Sequence, residues 1–192
     1  MKYYLDITLL PDAEANLGFL WQKVYQQIHL ALAEHKTADN TSAVAVSFPE
    51  WSQGNYPLGS KLRLFAVREQ ALQALDIPQW LQRFTDYTHC TSIKAVPSSV
   101  TQYAVFKRVQ FDTNIERMAR RRAKRKDETL EQALAYFKGF TEQASKLPFI
   151  NMKSLSKEQN FRLFVQRDSV PAPVIGLFNT YGLSKAATVP CF

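Results

Sequence analysis

Residues 3–9 read YYLDITL, and this stretch sets the fold of the first half of the chain. Positions 3, 5, 7 and 9 are all apolar or aromatic, whereas Asp6 and Thr8 lie on the alternate positions. Alternation with a period of two is typical of a β-strand that buries one face against a core. The stretch therefore predicts a half-buried strand at the start of the fold.

Helical and extended patterns alternate from this strand up to residue 96. The predicted elements are, in order, a helix over residues 17–35, strands over 43–48 and 61–67, a helix over 69–75 with a continuation past Pro78 to residue 84, and a strand over 88–96. The order β-α-β-β-α-β is that of a ferredoxin-like (RRM-like) domain. This arrangement is common and fixes no function by itself.

The second half of the chain mixes strands with one basic helical region. A Pro-Ser-Ser connector at 97–99 separates the halves, which predicts a domain over residues 1–97 and an α+β domain over 98–192. The elements predicted in the second domain are a strand over 103–111, a helix from the basic segment through residue 138, and strands over 160–166 and 174–179. The predicted fold class is therefore α+β.

Composition excludes several classes of protein. A hydrophobic fraction of 46% is too high for a disordered chain, and no apolar run reaches the roughly 18 residues of a membrane span. Asp6 interrupts the first apolar run, which argues against a secretory signal. Cys90, Cys191 and three scattered histidines offer no metal-ligand spacing. We expect a cytoplasmic protein with no metal, no cofactor and no membrane partner.

Excess positive charge is concentrated in residues 117–126, which read RMARRRAKRK. The chain has 24 Lys and Arg against 17 Asp and Glu, and removing this segment leaves 17 of each. Thr113 and Glu116 have the spacing of a capping box, which predicts a helix over about 114–126. At helical spacing one face carries most of the cations, namely Arg117, Arg120, Arg121, Lys124 and Arg125.

Like charges on one helix face repel, each pair by a few tenths of a kcal/mol, so an anionic partner explains this face better than stability does. Asp112 and Glu116 precede the segment and Asp127 and Glu128 follow it, but no acid lies within it. Arginine dominates, and its planar fork suits phosphates and guanine edges. Nucleic acid is the favoured partner. An acidic protein patch and a solvated face are the alternatives.

Several short motifs, taken in order, resemble one known family. They are YLDI at 4–7, VSFP at 46–49, LGSKLR at 58–63, RVQ at 108–110, the arginine-rich helix, LPF at 147–149, FRLF at 161–164 and YGLSK at 181–185. Their order and spacing are similar to those of the type I-F CRISPR-associated repeat-processing endoribonuclease of the Csy subtype. Each motif alone is weak, but together they cover nearly the whole chain.

The resemblance implies a fold and an activity. It implies a ferredoxin-like first half and a second half whose arginine-rich helix docks in the major groove of a short RNA hairpin. The expected activity is metal-independent cleavage of CRISPR repeat RNA at the base of the hairpin, leaving a 2′,3′-cyclic phosphate. The expected partners are the repeat hairpin, the mature crRNA, and other subunits of a type I-F surveillance complex.

The resemblance also implies catalytic residues. His29 matches the family's catalytic histidine, although a lone helical histidine is more often a surface or satisfied core residue. Ser154, in a loop over 153–156, matches a serine that holds the attacking 2′-hydroxyl, and Tyr181 matches a tyrosine that orients the histidine. A neutral imidazole can accept a hydroxyl proton because its ordinary pKa lies near neutrality.

RNA-binding residues follow from the same comparison. Arg108 and Gln110 match residues that read base pairs at the foot of the stem, in line with arginine–guanine and glutamine–adenine pairing. The groove-facing positions of the basic helix and Ser156 are matched as well. Phe161 matches an aromatic that stacks on an RNA base, although strand alternation would equally place it in the core.

Two other functions fit parts of the sequence. A non-catalytic subunit that holds an RNA hairpin would need the basic helix but not His29, Ser154 or Tyr181. A DNA-binding regulator fits less well, because no helix-turn-helix or dimer signature appears.

Overall fold

The computed structural model describes residues 1–54, 56–111, 115–138, 146–154 and 158–192, with residue 117 described by its backbone alone. Its strands are β1 (Tyr3–Leu9), β2 (Thr41–Ser42), β3 (Val44–Ser47), β4 (Lys61–Ala66), β5 (Thr88–Cys90), β6 (Lys94–Ala95), β7 (Gln102–Val109), β8 (Phe149–Ser154), β9 (Gln159–Val170), β10 (Phe178–Asn179) and β11 (Val189–Cys191). Its helices are α1 (Leu17–Glu34), α2 (Glu69–Leu75), α3 (Ile77–Trp80), α4 (Ile115–Lys126) and α5 (Leu130–Tyr136), with a 3₁₀ segment over Gln82–Tyr87.

The chain divides into two compact units. The first comprises Met1–Arg108 and Pro148–Phe192, and the second comprises Val109–Leu147. Helices and strands are mixed, as predicted. The predicted domain boundary after residue 97 lies within the first unit, between the strands of its two larger sheets, and it stays a prediction. Among the described residues, no helix combines the length and the apolar character that crossing a bilayer requires.

The first sheet is antiparallel and has the order β3-β4-β1-β5, with β6 also paired to β1. Strand β1 has the predicted bounds, and Leu5, Ile7 and Leu9 are buried as the alternation requires. The largest fully buried side chains of this core include Trp21 and Tyr25 of α1. Burial of apolar surface on this scale is the main stabilising contribution to the unit.

The second face of β1 is also covered, which the alternation did not predict. Asp6 is only 8% exposed and pairs with Arg63 of β4 through two contacts, Nε–Oδ1 at 2.6 Å and Nη2–Oδ2 at 2.9 Å. The Arg63 guanidinium also lies over the rings of Tyr4 and Phe192 and donates to the Phe192 carbonyl. A buried ion pair thus occupies a face that the sequence pattern assigns to solvent.

Two predicted elements are interrupted, each at a polar residue. The predicted continuous helix past Pro78 is wrong, because Asp76 adopts φ +44° and ends α2 before Pro78 enters the first turn of α3. The predicted single strand over 88–96 is split into β5 and β6. At the split, the Thr91 hydroxyl accepts from the Asp6 N–H at 3.0 Å, and the Thr91 N–H donates to the Asp6 carbonyl.

The second larger sheet has the order β11-β7-β9-β8. Strand β8, absent from the prediction, pairs antiparallel with β9 so that Met152 faces Phe161. Predicted extended structure over 174–179 reduces to β10, which pairs with β2. The Val174 carbonyl instead accepts from the Thr188 N–H at 3.0 Å, and the Val174 N–H donates to the Thr188 hydroxyl at 2.9 Å.

The second unit contains α4 and α5. The predicted continuous helix through residue 138 is wrong, because Asp127 adopts φ +53° and a capping box between Thr129 and Gln132 starts α5. The predicted capping box at Thr113 lies outside the described residues. Ala119 is fully buried and Ala133 is fully buried, so both helices use small residues where they pack.

Candidate active site

His29 lies on the long helix α1, at the border of its buried stripe. The Asn16 side chain caps the helix by accepting from the Phe19 N–H at 3.0 Å. Apolar residues at helical spacing follow Asn16 along the chain. Val24, Tyr25 and Ile28 are fully buried, whereas His29 is half-buried. Helical periodicity therefore places the imidazole where it contacts the protein on one side.

A tight turn over residues 179–182 faces this part of α1. The Asn179 side-chain oxygen accepts from the backbone N–H groups of Tyr181 (2.8 Å) and Leu183 (3.2 Å). Gly182 has φ +71°, and its carbonyl accepts from the Val46 N–H at 2.8 Å. A side chain at Gly182 would begin 2.4 Å from Val46 Cγ2, so only glycine fits there. The turn is thus fixed from within and against β3.

The turn holds the imidazole of His29 in two ways. His29 Nδ1 lies 2.9 Å from the Thr180 carbonyl oxygen, and the imidazole stacks on the Tyr181 ring with centroids 4.1 Å apart and planes 4° apart. Because a carbonyl can only accept, Nδ1 donates the hydrogen bond. In the neutral ring the lone pair is therefore on Nε2, which is the atom that can take a proton.

The surroundings of His29 favour its neutral form. Burial lowers the pKa of His29 below its ordinary value of 6.5, the hydrogen bond to Thr180 acts in the opposite direction, and the Arg108 cation lowers the pKa further. Tyr25, one turn earlier on α1, donates its hydroxyl to the Tyr181 carbonyl at 2.8 Å. Burial raises the pKa of Tyr25, so this hydroxyl keeps its proton. A neutral histidine is the form that a general base requires.

Arg108 and Phe161 extend the cluster. The Arg108 guanidinium carbon lies 5.0 Å from the Tyr181 ring centroid and 5.4 Å from that of Phe161. Phe161 also meets Tyr181 edge to face, with centroids 6.5 Å apart. Phe161 is half-buried, so it lies at the border of the core. Positive charge is therefore held beside the imidazole by aromatic faces.

Ser154 is the last residue of β8 and does not lie in the loop that was predicted from the sequence. Strand β8 packs against α1 at this end, where the Lys153 N–H donates to the Gln26 side chain at 3.1 Å. Gln26 precedes His29 by three positions on the helix, so the end of β8 is held on the His29 side of α1. Ser156 lies outside the described residues.

The second unit carries the predicted cationic face. Arg120, Arg121, Lys124 and Arg125 of α4 are exposed, and the side chain of Arg117 lies outside what the structure describes. Although no acid lies within the basic segment, two of its arginines pair with flanking glutamates. Arg120 pairs with Glu116 at 3.3 Å, and Arg122 pairs with Glu128 while stacking on Tyr136. Arg122 and Glu128 are half-buried and lie off the cationic face, whereas the Arg120–Glu116 pair is exposed and contributes little, so most of the cationic face stays available.

Comparison with known proteins decides the family. The family model described as CRISPR-associated protein (Cas_Csy4) matches residues 4–192. The chain belongs to this family. It is 39% identical to the CRISPR-associated endonuclease Cas6/Csy4 of Escherichia coli (strain UTI89 / UPEC) and 34% identical to that of Pseudomonas aeruginosa (strain UCBPP-PA14). Each alignment runs over 193 residues and covers 100% of both chains.

In this Cas_Csy4 family member, His29 and Tyr181 were predicted as site residues from the sequence, but the groups that hold them were not predicted. Thr180, Asn179 and Tyr25 make the contacts that fix the imidazole and its stacking partner. The NTYG sequence over 179–182 has the Asn and Gly of a turn, so it could have indicated the tight connection. Nothing in the sequence pairs that turn with α1, because about 150 residues separate them.

Proposed function

We propose that this protein is an endoribonuclease that cleaves CRISPR repeat hairpins in precursor crRNA. The observation that carries the proposal is the His29 site, in which a histidine kept neutral by burial offers Nε2 while Nδ1 is held by Thr180. Membership of the Cas_Csy4 family and the endonuclease names of its relatives support the same activity. A non-catalytic hairpin-binding subunit would not need His29, Ser154 or Tyr181.

The proposed reaction is metal-independent transesterification within the RNA. Nε2 of His29 accepts the proton of the 2′-hydroxyl, the 2′-oxygen bonds to the adjacent phosphorus, and the bond from phosphorus to the 5′-oxygen breaks. The leaving 5′-oxygen takes up a proton from water, the imidazolium returns its proton to water, and the upstream product carries a 2′,3′-cyclic phosphate. Ser154 positions the attacking 2′-hydroxyl, and Tyr181 orients the imidazole by stacking.

Binding of the hairpin is assigned to residues that take no part in the proton transfer. We propose that Arg117, Arg120, Arg121, Lys124 and Arg125 of α4 contact the stem, that Arg108 and Gln110 read base pairs at its foot, and that Ser156 and Phe161 also contact the RNA. An ordinary A-form major groove is too narrow for a helix, whereas a short stem with an open end relaxes that limit. Five phosphate contacts would give a log–log salt slope of roughly −3.5 to −4.5.

The finer architecture and the cellular role belong to the same proposal. Residues 1–97 are proposed to form a ferredoxin-like domain, and residues 98–192 a hairpin-binding domain. We expect the enzyme to act in the cytoplasm and to stay bound to the mature crRNA, together with other subunits of a type I-F surveillance complex.

One substrate comparison tests the proposed chemistry. The protein is incubated in EDTA with a repeat hairpin, and with the same hairpin carrying a single 2′-deoxy ribose at the scissile position. The proposal predicts cleavage of the first RNA and none of the second, because the nucleophile is the missing hydroxyl. Cleavage of the deoxy RNA, or loss of activity in EDTA, would contradict this mechanism. A hairpin that binds but is never cut would favour the non-catalytic alternative.

A further inference from the structure

We infer that the Tyr25 hydroxyl is a positioning group for His29, acting through the turn over residues 179–182. This inference rests on the proposed function, because it gives the His29 imidazole the task of moving a proton. Tyr25 does not touch the reacting atoms in this account. It fixes the turn that carries both partners of the imidazole, namely the Thr180 carbonyl and the Tyr181 ring.

Helix α1 holds the turn at two successive carbonyls. His29 Nδ1 donates to the carbonyl of Thr180 at 2.9 Å, and the Tyr25 hydroxyl donates to the carbonyl of Tyr181 at 2.8 Å. The two donors are four positions apart, so they project from the same face of the helix. The Gly182 carbonyl ties the far end of the turn to β3, and the two bonds from α1 tie its middle. Two bonds to adjacent peptide units set its orientation relative to the helix axis.

The Tyr25 bond acts on the stacking contact as well. Tyr181 contributes its carbonyl to Tyr25 and its ring to His29, where the ring planes are 4° apart. A tilt of the Tyr181 peptide would therefore move the aromatic plane on which the imidazole lies. Asn179 and Gly182 hold the turn internally, but neither of these internal contacts ties it to α1.

Packing alone does not explain a tyrosine at this position. Tyr25 is fully buried, and its ring stacks on Phe48 and packs against Trp21, contacts that a phenylalanine would make equally. A buried hydroxyl loses its water and recovers that cost only through a hydrogen bond within the protein. The bond to the Tyr181 carbonyl supplies it. We therefore assign the Tyr25 hydroxyl to orienting the turn over residues 179–182 rather than to packing in the core.

The test compares the same deletion at two tyrosines. Tyr25→Phe removes the hydroxyl that contacts the turn over residues 179–182. Tyr56→Phe removes a hydroxyl that lies beside Gly18, a residue at the start of α1. Long-range proton–nitrogen correlation spectra of the free protein report the His29 tautomer, and single-turnover cleavage and hairpin affinity are measured separately. For Tyr25→Phe we expect a mixture of tautomers and a cleavage rate about tenfold or more lower, with hairpin affinity unchanged. Tyr56→Phe should match the wild type in all three.

Each other outcome overturns the inference. A Tyr25→Phe protein with the wild-type tautomer would show that the hydroxyl does not position the ring. Loss of rate together with an equal loss of affinity would identify general loosening of the fold. Failure of the proposed function is distinguishable, because a wild type that cuts no RNA still reports its His29 tautomer, and the spectra of the variant then decide the role of Tyr25.

Discussion

Replacing Gly182 with alanine is expected to destabilise the first unit through two separate effects. The residue has φ +71°, where a Cβ costs roughly 1–2 kcal/mol. The new Cβ would also lie 2.4 Å from Val46 Cγ2 and 2.9 Å from Val46 Cβ, and overpacking of this kind costs about 1–3 kcal/mol more. The combined loss in the free energy of unfolding is therefore about 2–5 kcal/mol.

Gly54 provides a matched control for the backbone part of this loss. It has φ +73°, but a Cβ there would meet nothing within 4 Å. Gly54→Ala should therefore cost only the roughly 1–2 kcal/mol of the left-handed conformation. The difference between the two variants in the free energy of unfolding therefore gives the cost of the contact with Val46.

Urea unfolding followed by tryptophan fluorescence is a suitable assay, since Trp21, Trp51 and Trp80 all lie in the first unit. At about 2–4 °C per kcal/mol for a chain of this size, thermal unfolding should show the same ranking. Equal losses for Gly182→Ala and Gly54→Ala would refute the reasoning, because they would mean that the turn over residues 179–182 can move away from β3 at no cost. In that case the turn could not fix His29 either.

Three further predictions concern the site, the buried ion pair and the cationic helix. The rate of RNA cleavage should fall as the pH is lowered, with a midpoint below 6.5. The reason is that burial lowers the pKa of His29 and the protonated ring cannot act as a base. A pH–rate profile with a midpoint at or above 6.5 would contradict this. Asp6→Asn should lower the free energy of unfolding by about 3–5 kcal/mol, because it leaves the Arg63 cation buried without the Asp6 carboxylate. A urea unfolding curve unchanged from wild type would contradict this prediction. Arg121→Ala should weaken binding of the repeat stem by about 1–3 kcal/mol if the side chain reaches a base edge. Equal weakening for unrelated RNAs in a filter-binding assay would instead identify a phosphate contact.

Local sequence patterns predicted those elements whose apolar periodicity is strong. Strand β1 has its predicted bounds, and α1 ends within one residue of its predicted end, because a capped helix with a continuous apolar stripe leaves little choice. The breaks at Asp76 and Asp127 were not predicted, since each depends on one aspartate adopting a left-handed conformation within a helical pattern. Strand β8 was missed although residues 150–153 alternate between apolar and polar, because the alternation is short.

The candidate site was predicted only in part, since its contacts join distant parts of the chain. Resemblance to a family supplied His29, Tyr181 and Ser154, and the structure brings His29 and Tyr181 into stacking contact. No local pattern indicates that the carbonyls of residues 180 and 181 accept hydrogen bonds from α1. The burial of Asp6 with Arg63 was hidden for the same reason: strand alternation assigns a face, but not what covers it.

Cleavage by the His29→Ala protein most directly tests whether the His29 imidazole takes the proton of the 2′-hydroxyl. Single-turnover cleavage of a repeat hairpin and its equilibrium binding are measured side by side, with His35→Ala as the control, an exposed histidine at the end of the same helix. We expect a rate lower by about 10²–10⁴-fold for His29→Ala with hairpin affinity retained, and wild-type behaviour for His35→Ala. Wild-type cleavage by His29→Ala would contradict the claim that this imidazole takes the proton.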